Sequence, residues 1–213
     1  MSKAQLKKQK IREETERLNS IRKLLSQADS VEDYLADLPI FRKFKKNELN
    51  VDVRTFQHCP EEYKDWVFDL TSRNMREIYE KTWGWNDSNK RAELFSEFSH
   101  YLIGFDNETP MGFVHFRFEP IEFNTCIYLY ELQVEPKYQR NGFGKFMMQA
   151  IEMIALKKGM DLIMLTVLKE NIDARRFYTR MHYDLHSSSP SIAVPEEDHE
   201  YHHEIRYKSL MKK

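Results

Sequence analysis

Between residues 128 and 158 the chain spells a strand, a glycine turn and a helix in immediate succession, and few folds accommodate that order. YLYELQV (128–134) is an aromatic and aliphatic run of strand length. GFGKFMMQAIEMIALKK (142–158) repeats apolar residues at helical spacing until Gly159 stops it. Gly142 and Gly144 remove side chains where the helix begins, so unpaired backbone N–H groups can approach an anion, and the helix dipole adds to the attraction. Such a turn suits a pyrophosphate. It is not the dinucleotide fingerprint, which needs a third glycine, nor a Walker loop, which needs Gly-Lys followed by Ser or Thr. Two glycines alone are also what a plain tight turn uses. Inside the strand sits a carboxylate, Glu131, which a folded chain keeps there only with a partner, with water or with a functional role.

The elements around this unit alternate. Leu18, Ile21 and Leu25 lie at helical spacing in an N-terminal stretch rich in helix formers, residues 31–49 read as a linker with a short helical turn, and 50–57 (NVDVRTFQ) alternates like a strand. Pro60 suits the first turn of a helix reaching about Lys81, WGWND (83–87) interrupts it, and a second helix is expected over 88–98. Three strands follow in SHYLIGFD, MGFVHFRFE and TCIYLYELQV, the first two joined as a hairpin at NETP. After the glycine-turn helix come a buried strand (DLIMLTVL), a helix over 172–181, and two strands near 183–186 and 200–208. The order predicts an α/β (α+β) domain: a central mixed, mostly antiparallel sheet of about seven strands flanked by helices, over residues 31–213, with a basic helical extension over 1–30.

Composition narrows the partners. Lys plus Arg number 33 against 34 for Asp plus Glu, a net charge of -1, so nothing pulls the whole chain toward nucleic acid or membrane. Sequence-specific nucleic acid binding is not expected. The exception is local: Lys3, Lys7, Lys8, Lys10 and Arg12 precede any acid, offering a contact for ribosomal RNA or an import signal, while a solvated, frayed helix end explains them equally well. The two cysteines, Cys59 and Cys126, form no CxxC pair, and no apolar run is long enough to span a bilayer, so a soluble, monomeric protein of cytoplasm and nucleus is expected. His199, His202 and His203 lack a second ligand cluster, so no metal is expected.

Gln139, Arg140, Asn141, Gly142, Phe143 and Gly144 match the Arg/Gln-x-x-Gly-x-Gly/Ala motif, and here the chain resembles the GCN5-related N-acetyltransferase (GNAT) superfamily. NIDARRFYTRMHY adds Asn171 and Tyr178, which look like the superfamily's coenzyme-arm asparagine and thiol-side acid. DWVFDLTSRNMREIYEKTWGW, HFRFE, YLYELQVE, IMLTVLKEN and SSSPS are similar to the NatD group within it, the N-alpha-acetyltransferases of histone amino termini. The resemblance implies a GNAT fold and transfer of acetyl from acetyl-CoA to the alpha-amine of the Ser-Gly-Arg-Gly terminus shared by two core histones, the H-four and H-two-A tails.

It also implies roles. Glu131 matches the general base. Leu132, Gln133 and Val134 would hold the acetyl carbonyl and pantetheine, which requires the strand to splay or bulge there. Gln139 to Gly144 with Lys145 would cradle the phosphates, Asn171 the coenzyme arm, and Tyr178 would give a proton to the thiolate or serve as packing. Tyr79, Trp83, Tyr128, Tyr130, Thr166 and Tyr201 would line the peptide slot, with Glu119 meeting the substrate arginine. Ile121 stands where relatives can carry a second acid, with Glu122 beside it. An acetyltransferase for lysine or small amines, and a docking module that binds acetyl-CoA without turnover, remain the alternatives.

Overall fold

The computed structural model describes residues 3–211; Met1, Ser2, Lys212 and Lys213, with the side chain of Lys3 in the basic run, lie outside the described residues. Eight strands form one sheet in the order β1-β2-β3-β4-β5-β6-β8-β7. They are β1 (Lys43–Lys46), β2 (Leu49–Phe56), β3 (His100–Asp106), β4 (Thr109–Ile121), β5 (Asn124–Val134), β6 (Leu162–Leu168), β7 (Asp184–Leu185) and β8 (His203–Ser209). Every neighbouring pair is antiparallel except β5 and β6.

The helices are α1 (Lys3–Asp29), α2 (Glu61–Glu80), α3 (Asp87–Leu94), α4 (Phe143–Lys157), α5 (Ile172–Arg180) and a single turn, α6 (Pro190–Ala193). Local chemistry sets their ends. Glu61 and Glu62 complement the dipole of α2, and the Asn86 and Asn171 side chains accept from Asn89 N and Ala174 N to cap α3 and α5. Gly159, at φ 71°, ends α4 in the left-handed conformation. Asn107 and Glu108, both at positive φ, make the tight turn between β3 and β4.

Two apolar layers clamp the sheet. On one face Ile21, Leu25 and Ala28 of α1 and Met147, Ile151 and Ile154 of α4 pack with Val114, Phe116, Ile127, Leu129 and Ile163. On the other, Val67, Phe68 and Leu70 of α2 and Leu94 of α3 cover Tyr101, Ile103, Phe105 and Phe113. Each such large side chain contributes about 1.5–3 kcal/mol by leaving water. The end of α1 is also pinned through polar groups: buried His100 meets Asp29 Oδ1 at 2.7 Å and Tyr34 Oη at 3.1 Å.

Two details differ from the sequence expectation. KFKK forms β1 within the stretch expected to be a linker; its lysines suit a solvent-facing edge strand and hide it from any hydrophobic pattern. The helix expected over 88–98 stops at Leu94, because Phe95 leaves helical geometry and the chain turns to bring buried Ser99 to His115 Nε2 at 2.9 Å.

The middle of the sheet opens. β5 pairs with β6 only from Cys126 to Leu129, so beyond Leu129 the edge of β5 that faces β6 has no ladder partner. On its other edge β5 follows β4 to Val134, but the register jumps from Leu129↔Phe116 to Glu131↔His115, leaving Tyr130 as a bulge residue. The start of α4 and the side of α5 lie over this opening.

Candidate active site

The opening holds a cavity of about 1190 Å³, above the usual range for a single small ligand. At one end is the turn before α4. Arg140 and Gly142 take φ of 62° and 91°, curling the backbone at the helix start. No acidic residue occupies the first turn of α4, and no side chain caps it. A Cβ placed on Gly142 would approach only Lys46 Nζ, at 3.6 Å, and one on Gly144 finds nothing nearer than 3.8 Å. Arg140, Lys145 and Arg180 line this end. Free N–H groups, empty space and three cations fit the phosphates of a nucleotide coenzyme.

In the middle, Leu132, Gln133 and Val134 line the wall where β5 has no partner on that edge, and Gln139 Nε2 donates to Val134 O at 2.9 Å. Asn171 and Tyr178 line the opposite side from α5. Burial, and then the nearby Glu131 charge, push the Tyr178 hydroxyl above its ordinary range, so it stays protonated. Phe143 and Asn141 do not line the cavity: the Phe143 ring is buried against Gly104 and Phe44, and Asn141 donates to Tyr138 O. Only their backbone remains available for the role expected of them.

At the far end Tyr79, Trp83, Tyr128, Tyr130 and Thr166 gather around Glu131. Tyr128 Oη and Thr166 Oγ1 lie 2.6 Å apart, and Tyr130 Oη donates to Glu119 Oε1 at 2.7 Å. Glu119 and Tyr201 stand just outside the cavity wall. Glu119 reaches it through Tyr130, and Tyr201 meets edge-to-face the ring of His203, which packs on half-exposed Trp83. Trp85 does not line the cavity but packs behind it, edge-to-face with Tyr79 and against Phe68.

Glu131 is 5% exposed and has partners on both oxygens. Lys90 Nζ donates to Oε1 at 3.2 Å and Gln133 Nε2 to Oε2 at 2.7 Å, while Gln133 Oε1 in turn accepts from Asn74 Nδ2 at 2.9 Å. Burial raises the Glu131 carboxyl above its usual range, opposed by the Lys90 charge and the Gln133 amide. Sequence reading missed Lys90, Glu93, Asn74, Arg180 and Lys46. Of these only Lys90 and Glu93 carried a signal, an i,i+3 pair on a short helix that reads as a solvated face. Among the described residues no group of three His, Cys, Asp or Glu side chains could hold a metal ion.

Residues 67–183, more than half of the chain, match the acetyltransferase (GNAT) family. The chain belongs to that family. Solved structures agree on the GNAT fold. The PaiA N-acetyltransferase from Thermoplasma acidophilum, in complex with coenzyme A, is 16% identical and superposes with a TM-score of 0.56 over 75% of this chain and 99% of its own. The Naa50 protein of Arabidopsis thaliana, in complex with the bisubstrate analogue CoA-Ac-MVNAL, is 19% identical at a TM-score of 0.53 over 75% and 99%. The NatC complex bound to Gag peptide and CoA gives 19% identity and 0.55 over 76% and 99%. As a GNAT acetyltransferase the chain uses acetyl-CoA, and the cavity's glycine turn and open strand edge suit that cosubstrate.

Proposed function

We propose that this GNAT chain is an N-alpha-acetyltransferase of the NatD kind, acting on the Ser-Gly-Arg-Gly amino terminus of core histones. The observation that carries the reading is the aromatic end of the cavity: tyrosines and Trp83 narrow the approach to a buried carboxylate, and Glu119 waits one tyrosine further out. A small Ser-Gly terminus fits a narrow aromatic slot, and a carboxylate suits the guanidinium that follows. Two relatives of the same fold, Naa50 and NatC, were solved with a peptide-bearing analogue and with a peptide.

Acetyl-CoA supplies the activated acetyl thioester. The chain's own groups do the rest. Backbone groups along 132–134 orient the carbonyl, and the turn at Gly142 anchors the phosphates. A free alpha-amine has a pKa near 7.7–8.0, so roughly a fifth to a third is neutral at about pH 7.4, against about a thousandth of a lysine amine. Little is therefore asked of Glu131, which takes one proton as the amine attacks, directly or through water. Each carboxylate oxygen keeps a free lone pair beside its present donor. Tyr178 Oη gives a proton to the departing sulfur. No residue serves as nucleophile: burial pushes the Cys59 thiol up to about 12 and raises Cys126 as well, and neither lines the cavity.

The test is acetyl transfer to two synthetic peptides beginning Ser-Gly-Arg-Gly-Lys, one with a free and one with a blocked amino terminus. Acetylation of the free peptide alone is expected; modification of both refutes alpha-amine selectivity.

A further inference from the structure

Lys90 is the residue of α3 that the acetyltransferase reading leaves without a role. Its side chain is 7% exposed, and it sits one turn from Leu94 on the same buried face of the helix. Its ammonium is fully engaged, donating to Glu93 Oε1 at 2.5 Å, Tyr79 Oη at 3.1 Å and Glu131 Oε1 at 3.2 Å. A buried ammonium is costly even when paired, and apolar packing often replaces a buried ion pair with no loss of stability. A helix that only had to cover the sheet would need no lysine here.

The geometry points to Lys90 as a positioning residue of the transfer reaction: it favours the ionised form of Glu131 and fixes it at the cavity wall, and Glu93 sets how much of the ammonium's charge Glu131 feels. This rests on Glu131 being the base. The other groups around Glu131 leave that role to Lys90. Tyr79 from α2, Tyr101 from β3 and Tyr178 from α5 are held protonated by burial, Tyr79 with its hydroxyl pushed up to about 12. His115, directly across from Glu131 on β4, is kept neutral, its pKa pulled well below the ordinary value by burial and by the charges of Arg117 and Lys90. Arg117 spends its guanidinium on the Tyr130 ring and the Glu93 carbonyl. For Lys90 itself burial works against the charge, but Glu131, Tyr79 and Glu93 more than offset it, so the ammonium persists across the working range.

Glu93 faces the cavity and is 37% exposed at its side chain, so the Lys90 ammonium is shared between a base that is dry and a carboxylate that meets solvent. Losing Lys90 removes the favourable charge and lifts the acid limb of kcat/KM; losing Glu93 removes a competing carboxylate from Lys90 and a like charge from beside Glu131, and lowers it. An opposite charge within hydrogen-bond range moves a carboxyl by about one to three pH units.

The experiment is the pH profile of kcat/KM for Lys90→Met, Lys90→Gln, Lys90→Arg and Glu93→Gln, each first shown folded by its thermal melt. Lys90→Met and Lys90→Gln are expected to shift the acid limb upward by about one to three units, read below the limb as a ten- to thousandfold loss. Lys90→Arg should restore the wild-type limb, and Glu93→Gln should move it down. Gln keeps a hydrogen bond to Glu131 without the charge, so a purely structural role would leave its limb in place. Carbon-13 NMR of labelled glutamate, with Glu131 assigned by Glu131→Gln, reads the same titration with no acceptor present. If the wild type transfers acetyl to neither peptide, the acceptor reading fails while the NMR titration still decides the role of Lys90. An unmoved Glu131 titration in Lys90→Gln, or an upward shift in Lys90→Arg equal to that of Lys90→Met, overturns the proposal.

Discussion

Glu131→Gln separates chemistry from architecture because the site can absorb the amide. A glutamine there has one acceptor and one donor end where the carboxylate had two acceptors, so one of the present donors, Lys90 or Gln133, faces a donor. Lys90 carries the charge and keeps the oxygen. Gln133 then turns its amide to offer Oε1, and Asn74, which now donates to Gln133 Oε1, turns in its place. The bond lost is Asn74 Nδ2 to Val134 O, a long one at 3.3 Å whose carbonyl still accepts from Gln139. One lost hydrogen bond costs about 0.5–1.5 kcal/mol. For a chain of this size the melting temperature should fall by only about 2–4 °C per kcal/mol. The rate should fall far more: removal of a general base costs about a hundred- to ten-thousandfold, which is about 2.7–5.4 kcal/mol of barrier. Steady-state kinetics on the free Ser-Gly-Arg-Gly peptide, beside calorimetric titration of acetyl-CoA, reads both quantities. Near-normal coenzyme affinity with a collapsed kcat is the expected pair. A folded variant that turns over within a few-fold of wild type would refute the assignment of Glu131 as the base.

Three more perturbations address other parts of the molecule. Gly142→Ala forces a side chain into left-handed backbone at φ 91°, a cost of about 1–2 kcal/mol, and should raise the KM for acetyl-CoA about tenfold with kcat little changed; unchanged affinity would place the phosphates elsewhere. Glu119→Gln removes the carboxylate that Tyr130 presents, and loss of a charge-assisted bond worth about 1.5–3 kcal/mol should raise the peptide KM about ten- to a hundredfold, but only while the third peptide residue is arginine; an equal loss with alanine there would deny the contact. His100 is buried and its pKa is lowered, chiefly by desolvation, with Asp29 opposing. Its stabilising contribution is thus full above the unfolded value near 6.5 and is lost as pH falls through the lower folded value. Urea unfolding should show a smaller free energy at pH 5.5 than at 7.5, with His100→Gln reducing the difference; a difference that grows in the variant would mean that Asp29 dominates.

The parts of this molecule visible in its sequence are those where one residue type does one local job. Gly142 and Gly144 are legible because only glycine suits that turn, and Pro60, Asn171 and Gly159 mark helix ends because capping and stopping are local. The splay between β5 and β6 was required by the expected function, yet no residue announces it; it comes from where a parallel pairing ends. Lys90 is invisible for the converse reason. In NKRAEL it reads as one more solvated charge, and only the fold of α3 over the sheet buries it beside Glu131. Resemblance points to Tyr128 and Tyr130, but the pairing of their hydroxyls with Thr166 and Glu119 is a tertiary fact. KFKK is unreadable as a strand because an edge strand can be made of lysine.

Tyr130 sets the phase of β5. Upstream, the odd-numbered Ile127 and Leu129 point into the layer formed by α1 and α4, and downstream the even-numbered Leu132 and Val134 do. The bulge inverts the parity, so Tyr128, an even position, and Glu131, an odd one, reach the same cavity. The address of Glu131 is therefore a residue count and not only a residue identity. A strand of the same length that ran through Tyr130 without a bulge would keep every catalytic letter and yet turn its carboxylate to the face of Leu129, toward the layer of α1 and α4. Within this strand the backbone course at one residue matters as much as the letters around it, and a change that straightens β5 at Tyr130 rewrites the site without touching its chemistry.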